Sequence, residues 1–267
     1  MTLANSTIKK ISNDSLKGNF LNCVVVAVIL ISCYFIFNNI GALLFMATGE
    51  IVANILFFLL CFFGLSPVVL GSVRYFWRLS CGVKDNPVCV FYYFSEFSLY
   101  KRSIHLSFSL VLRAVFYLLL FGIPTIIFEV ISGTWLYEVI DIPIPIWTTN
   151  LSFFITSLKF LCVTATVFAM LKYYLAPMLA VADENMDIAE AIHLSTIISK
   201  KTLLDFIFFL FGFLGWFLIS VLVIPLIYSI PYFILAYLVH CTYAVQNFNS
   251  EIAKLSEDQV PTFVAGV

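Results

Sequence analysis

No charged residue falls between Phe20 and Phe45. A helix of that length, rising 1.5 Å per residue, is longer than the ~30 Å hydrocarbon core of a bilayer is thick. Runs of the same kind recur almost to Asn247. Hydrophobic residues make up 62% of the chain and charged residues 11%, which leaves too little polar surface to cover a soluble domain and excludes that class. Backbone amides in lipid must pair within their own segment, and the runs lack the strict alternation of outer-membrane strands. The expected fold is therefore all-α, a polytopic transmembrane helical bundle.

Hydropathy and helix breakers place about six spans, near 20–45, 52–79, 104–131, 151–176, 203–228 and 231–248. Asn38, Asn39 and Gly41 could end the first span early and leave 42–50 as an external re-entry, and Ser229-Ile230-Pro231 reads as a tight hairpin between the last two. Residues 1–19 are polar, with Lys9, Lys10 and Lys17. The apolar run behind them exceeds a signal-peptide core, so they read as an interfacial segment before an uncleaved anchor. Residues 20–248 then form the transmembrane domain and 249–267 a tail.

Lysine and arginine set the orientation. Lys9, Lys10, Lys17, Arg74, Arg78, Lys84, Lys101, Arg102, Lys200, Lys201 and Lys254 all fall on one side of six spans, while the opposite loops carry Glu50, Glu138 and Asp141. The positive-inside rule makes that side cytoplasmic, with both termini on it and the plasma membrane as the site. Trp135, Tyr137 and Trp147 would anchor the outer interface, and Tyr75, Trp77, Tyr173 and Tyr174 the inner one. Between them, Ile142-Pro143-Ile144-Pro145-Ile146-Trp147 forbids a helix and reads as an extended strip, a lid or a connector.

Leu65-Ser66-Pro67 resembles Leu175-Ala176-Pro177, and each precedes an amphipathic cytoplasmic segment, 85–101 or 184–200, closed by the basic pair Lys101-Arg102 or Lys200-Lys201. Another span follows each pair, with Pro124 and Pro225 at similar depth. These four prolines read as helix breaks. The pattern is either a parallel internal repeat or a coincidence of common membrane elements.

Arg113 and Lys159 sit about mid-span, where a cation costs at least ~2.5 kcal/mol without a partner or a wet cavity. Arg102, Ser109, Arg113 and Tyr117 share one helical face; Ser152, Thr156, Lys159 and Thr166 share a face of the next. Glu129 and Asp205 read as too shallow to be counter-ions. The stripes could hold an anionic ligand such as a lipid phosphate, with Arg113, Lys159, Tyr117, Ser109 and Thr156 as contacts. Alternatively the two cations satisfy themselves on hydroxyls and freed carbonyls, or snorkel.

Asp183, Asp187 and Glu190 suit a helix N-terminus rather than a metal. His105, His193 and His240 share no ligand spacing with a cysteine or an acid. The cysteines at 23, 33, 61, 81, 89, 162 and 241 read as free thiols. No nucleophile-and-base pattern, metal motif or phosphate loop is present in the sequence. No enzyme, metal, cofactor or nucleic-acid partner is called for.

Five segments in order carry a family resemblance. They are Ile8-Lys9 with Leu16-Lys17-Gly18-Asn19-Phe20, Pro67-Val68-Val69-Leu70-Gly71 with Arg74-Tyr75-Phe76, Ala189 to Ser195, Phe213-Leu214-Gly215-Trp216, and Pro231-Tyr232. In these the chain resembles the bacterial integral membrane proteins catalogued as domain of unknown function nine-seven-five. Ile198-Ser199-Lys200-Lys201 stands where that family carries a glycine, and segment 133–150 is longer than its pattern. The resemblance implies a six-helix fold, distantly similar to membrane domains attached to some glycerophosphodiester phosphodiesterases, and no catalytic residues. Two functions are expected from the whole: binding or moving an anionic lipid or other amphiphile, or a scaffold docking a cytoplasmic or envelope partner through 85–101 and 184–200.

Overall fold

The computed structural model describes residues 5–48, 50–132, 149–215 and 223–258. Its elements are α1 (Asn5–Leu16), α2 (Phe20–Thr48), α3 (Glu50–Ser80), a 3-10 helix (Pro87–Phe94), α4 (Phe97–Ser132), α5 (Thr149–Met170), a short 3-10 turn (Leu171–Tyr173), α6 (Ala176–Ala182), α7 (Ile188–Gly212) and α8 (Val223–Asp258). Among the described residues, five stretches are long and apolar enough to cross a membrane: Phe20–Met46, Glu50–Ser80, Phe97–Val130, Phe153–Ala182 and Tyr228–Ser250. That is a multi-pass membrane architecture. The segment 133–148 and Trp216 lie outside the described residues.

Two expectations about breaks are overturned. The first span continues through Asn38, Asn39 and Gly41 to Thr48, because Asn39 donates its amide to the Phe35 carbonyl at 2.8 Å and so needs no water. The hairpin at 229–231 is absent, since α8 runs unbroken through Pro231; one proline removes a single ladder bond, which flanking turns tolerate in an apolar setting. Pro225 stands in the first turn of α8, where its missing N–H would be unpaired anyway. Pro67 and Pro124 lie inside continuous α3 and α4. Only Pro177 marks an interruption, opening α6 after the 3-10 turn.

The surface segments also differ from expectation. Residues 87–94 form a 3-10 helix capped by Asn86, whose side chain accepts from the Val88 N–H at 3.1 Å, and the basic pair 101–102 already belongs to α4. The second segment is not separate, because Ile188 to Gly212 is one helix, N-capped by Asp187. Gly82 closes α3 at φ 84°, with Val83 N–H on the Arg78 carbonyl and Gly82 N–H on that of Leu79. This is a Schellman closure that any side chain would strain.

The chain forms two compact units, residues 108–174 and the remainder. In the larger unit α2 and α3 make an antiparallel hairpin, with Phe37 against Gly64 and Phe57 against Gly41. Burial is confined to one end of it. In α2 the buried residues are Cys23, Val26 and Ala27, and in α3, apart from Ala53, they run from Pro67 to Leu79. Against that basic end pack Ile8 and Leu16 of α1, Val90 and Tyr93, Leu175 to Val181, the inner face of α7, and Leu235 to Ala244 of α8. In an 18-residue apolar stretch within Tyr228–Ser250, 56% of residues are buried, against 17% or less in the corresponding stretches of the other four. The halves of α2 and α3 away from the basic end are exposed within this unit, as at Leu43, Met46, Ile51 and Phe58.

Gly71 is the tightest point of the core, for a Cβ there would fall on the Val90 carbonyl oxygen. Gly71→Ala is expected to lower stability by about 1–3 kcal/mol, whereas Gly215→Ala, with open space around its Cβ position, is expected to be neutral. Thermal denaturation of both variants in detergent checks this; equal midpoints would contradict the packing.

Candidate functional site

In the smaller unit α4 and α5 run antiparallel, fixed by Phe128 against Phe154 at 5.1 Å between ring centroids and by Cys162 Sγ at 3.7 Å from the Leu118 carbonyl. The expected meeting of Arg113 with Lys159 does not occur. Lys159 Nζ lies 2.6 Å from Glu129 Oε1, so the judgement that Glu129 is too shallow is corrected. The reason is geometric. Side chains lean toward the N-terminus of their own helix, so on antiparallel helices Lys159 leans outward along α5 and Glu129 inward along α4. Each closes part of the axial gap. Thr156 and Lys159 lie on an exposed face of α5.

Arg113 has other company. Its Nη1 donates to the Ser109 carbonyl at 2.8 Å, one turn back, and its guanidinium lies 5.5 Å from the Tyr173 ring centre. Lys172, absent from the sequence-based candidates, bonds the Tyr117 hydroxyl. It also stands 4.7 Å from the Tyr117 ring and 5.1 Å from that of Tyr173. Two cations thus meet at the Tyr173 ring, and Lys172 also reaches Tyr117, at distances where cation–π attraction acts. The sequence signal for Lys172 was its place inside the apolar 151–176 run, masked by the neighbouring Tyr173 and Tyr174, which suited an interfacial belt.

Arg102, placed with Arg113 by helical phase, belongs to the larger unit. There Nη2 donates to the carbonyls of Ala180 (3.1 Å) and Asp183 (2.8 Å), closing the C-terminus of α6. Beside it Glu184 takes Arg74 Nε at 3.2 Å and the Tyr92 hydroxyl at 3.2 Å, and Arg74 lies flat on the Tyr92 ring at 3.5 Å. Arg78 pairs with Asp85 at 2.9 Å. The two segments expected as docking surfaces are therefore tied to α3 and α4 through Glu184 and Arg102. Asp187 and Glu190 take the helix N-terminal places foreseen for them.

Proline 67 has a local consequence. Its missing N–H frees the Phe63 carbonyl one turn earlier, and the Tyr100 hydroxyl donates to that oxygen at 3.2 Å. Tyr93 is buried with no partner for its hydroxyl. Burial, with Glu184 adding to it, pushes its pKa from the usual value near 10 to about 12; burial also raises that of Tyr92.

No family model, curated protein or solved structure matches this chain.

Two outcomes are expected. Lys159→Met and Glu129→Gln each destabilise, while the double variant recovers much of the loss, a coupling of about 1–3 kcal/mol in a double-mutant cycle; additive losses would contradict the pair. At the basic end, Tyr93→Phe is neutral or stabilising because it removes an orphan hydroxyl, and Tyr92→Phe costs about 1.5–3 kcal/mol by breaking a bond to a carboxylate. The pH sign follows from a raised acid pKa. The folded state keeps a proton that the unfolded chain releases, so the contribution of Tyr93 is whole below pH 10 and is lost toward 12. Stability curves of wild type and Tyr93→Phe should diverge only in that range.

Proposed function

We propose that the protein is a non-enzymatic membrane protein that holds an anionic amphiphile through Arg113 and Lys172, with the Tyr117 and Tyr173 rings shaping the headgroup contact. The observation that carries this reading is that both cations stand at the Tyr173 ring, with Lys172 also on Tyr117. Intramembrane cations are costly, face protein or a wet cavity, and mark ligand paths. The described partners of Arg113 are a carbonyl and a ring, both neutral, so its charge is solvated without being cancelled. A phosphate or carboxylate headgroup would accept from both cations, and acyl chains would lie along the exposed apolar faces of α4 and α5, at Leu112, Phe116 and Phe160.

Lys159 leaves the expected set because Glu129 accompanies it. The reading agrees with the family resemblance, which implies a membrane fold and no catalytic residues, and it places the protein in the plasma membrane with membrane lipids as partners. Scaffolding through 85–101 and 184–200 is the second reading; within these segments Glu184 and Tyr92 bond each other, and Glu184 pairs with Arg74.

Native mass spectrometry with phosphatidylglycerol and phosphatidylcholine provides the test. The anionic lipid should be retained preferentially, and retention should fall at least tenfold in folded Arg113→Leu and Lys172→Met. Retention should persist in Lys159→Met/Glu129→Gln, which removes a balanced pair. Equal retention in all variants would reject the site.

A further inference from the structure

We infer that α7 does not cross the membrane and instead lies in the lipid interface at the basic end, its second half seated among headgroups and upper acyl chains. Both ends of α7 are fastened to the same end of the α2–α3 hairpin. Before its first turn, Glu184 pairs with Arg74 and the Asp183 carbonyl accepts from Arg102. At its last turn, the Gly212 carbonyl accepts from Lys9 Nζ at 2.7 Å, and Lys9 also stands 5.0 Å from the Phe213 ring. Phe213 packs on Tyr232 at 5.6 Å, Tyr232 on Tyr228 at 5.8 Å, and Tyr228 on Phe20, the first residue of α2, at 5.8 Å. The 25 residues of α7 span about 37 Å at 1.5 Å per residue. A crossing helix would carry Gly212 that far from Arg74, to the opposite end of the hairpin.

The faces of α7 agree with this placement. Ile188, Ala191, Ile192, Ser195, Ile198, Phe206 and Phe209 are buried against the core. The opposite face is polar at first, with Glu190, His193, Lys200 and Lys201 exposed. It then becomes apolar, with Leu204 and Phe208 exposed to 68% and 66% and Phe211 and Leu214 in line one turn apart. A stripe of this kind behind a lysine pair is the pattern of a helix lying in a bilayer surface, with ammonium groups at headgroup level and rings below. The bilayer that the spans enter is continuous with this face and is the occupant we assign. The expected fifth span, 203–228, is replaced by this in-plane helix over its described part. Only eleven residues separate Lys201 from Phe213, about half of what a crossing needs.

Single cysteines placed in a Cys81→Ser parent test the inference with a membrane-impermeant maleimide on sealed vesicles of each orientation. Lys200→Cys, Gly215→Cys and Lys10→Cys should label from one and the same side, while Phe208→Cys and Phe211→Cys should label at least tenfold more slowly from either side. Protection of Gly215→Cys from both sides, or its labelling from the side opposite Lys10→Cys, would mean that α7 crosses. Labelling of Phe208→Cys and Phe211→Cys as fast as Lys200→Cys would mean that the stripe faces water, and would overturn the lipid assignment in favour of a soluble partner.

Discussion

Hydrocarbon offers no hydrogen bonds, and several polar groups within the candidate spans meet that constraint with a side chain or a carbonyl of the same unit, the buried Thr125 hydroxyl being an exception. The carbonyl released by Pro67 takes the Tyr100 hydroxyl. Lys159 takes Glu129, Lys172 takes Tyr117, and Arg113 takes the carbonyl of Ser109. Only the Lys159 pair cancels charge for charge among these contacts. The Arg113–Lys172 arrangement supplies hydrogen bonds and ring faces, and the proposed headgroup contact is placed there because the described partners of Arg113, the Ser109 carbonyl and the Tyr173 ring, are neutral.

The same constraint explains where the core lies. Between helices in lipid there is no hydrophobic driving force, so the outer halves of the spans need bury little. At the basic end water is within reach, burial of apolar surface is favourable again, and the buried side chains gather there. Gly71 under Val90, Leu175 to Val181 and the middle of α8 form this core, bound at its rim by Glu184 and Arg102. The proposed lipid site and the folding core of the larger unit thus fall in different units of the chain. Variants of Arg113 or Lys172 can change ligand retention without disturbing what holds the larger unit together.

How legible this was in the sequence depended on the range of the signal. The charge-free run from Phe20 and the Glu50 that follows it define α2 and α3 almost to the residue, because span length is a local property. The prolines misled, since a break depends on whether freed carbonyls find partners, as Phe63 finds Tyr100. The Lys159–Glu129 pair was hidden because sequence gives depth but not the opposed lean of side chains on antiparallel helices. Lys200-Lys201 reads in the sequence as the start of a span, and in the structure the pair lies on the exposed face of a helix that continues to Gly212. Whether the helix then turned in or stayed in plane was decided by Lys9, nearly two hundred residues away in sequence. Lys172 was overlooked because two tyrosines beside it supplied a sufficient interfacial explanation.

The claim on which the rest depends is that packing is concentrated at the basic end and that lipid covers the remaining helix surfaces. A lipid-phase diazirine photolabel, mapped by residue after reconstitution, measures this directly. The account predicts dense labelling at Leu43, Met46, Ile51 and Phe58 and none at Phe76, Tyr93 or Leu235. Protection of the first group would contradict it, showing that protein rather than lipid covers the outer halves of α2 and α3.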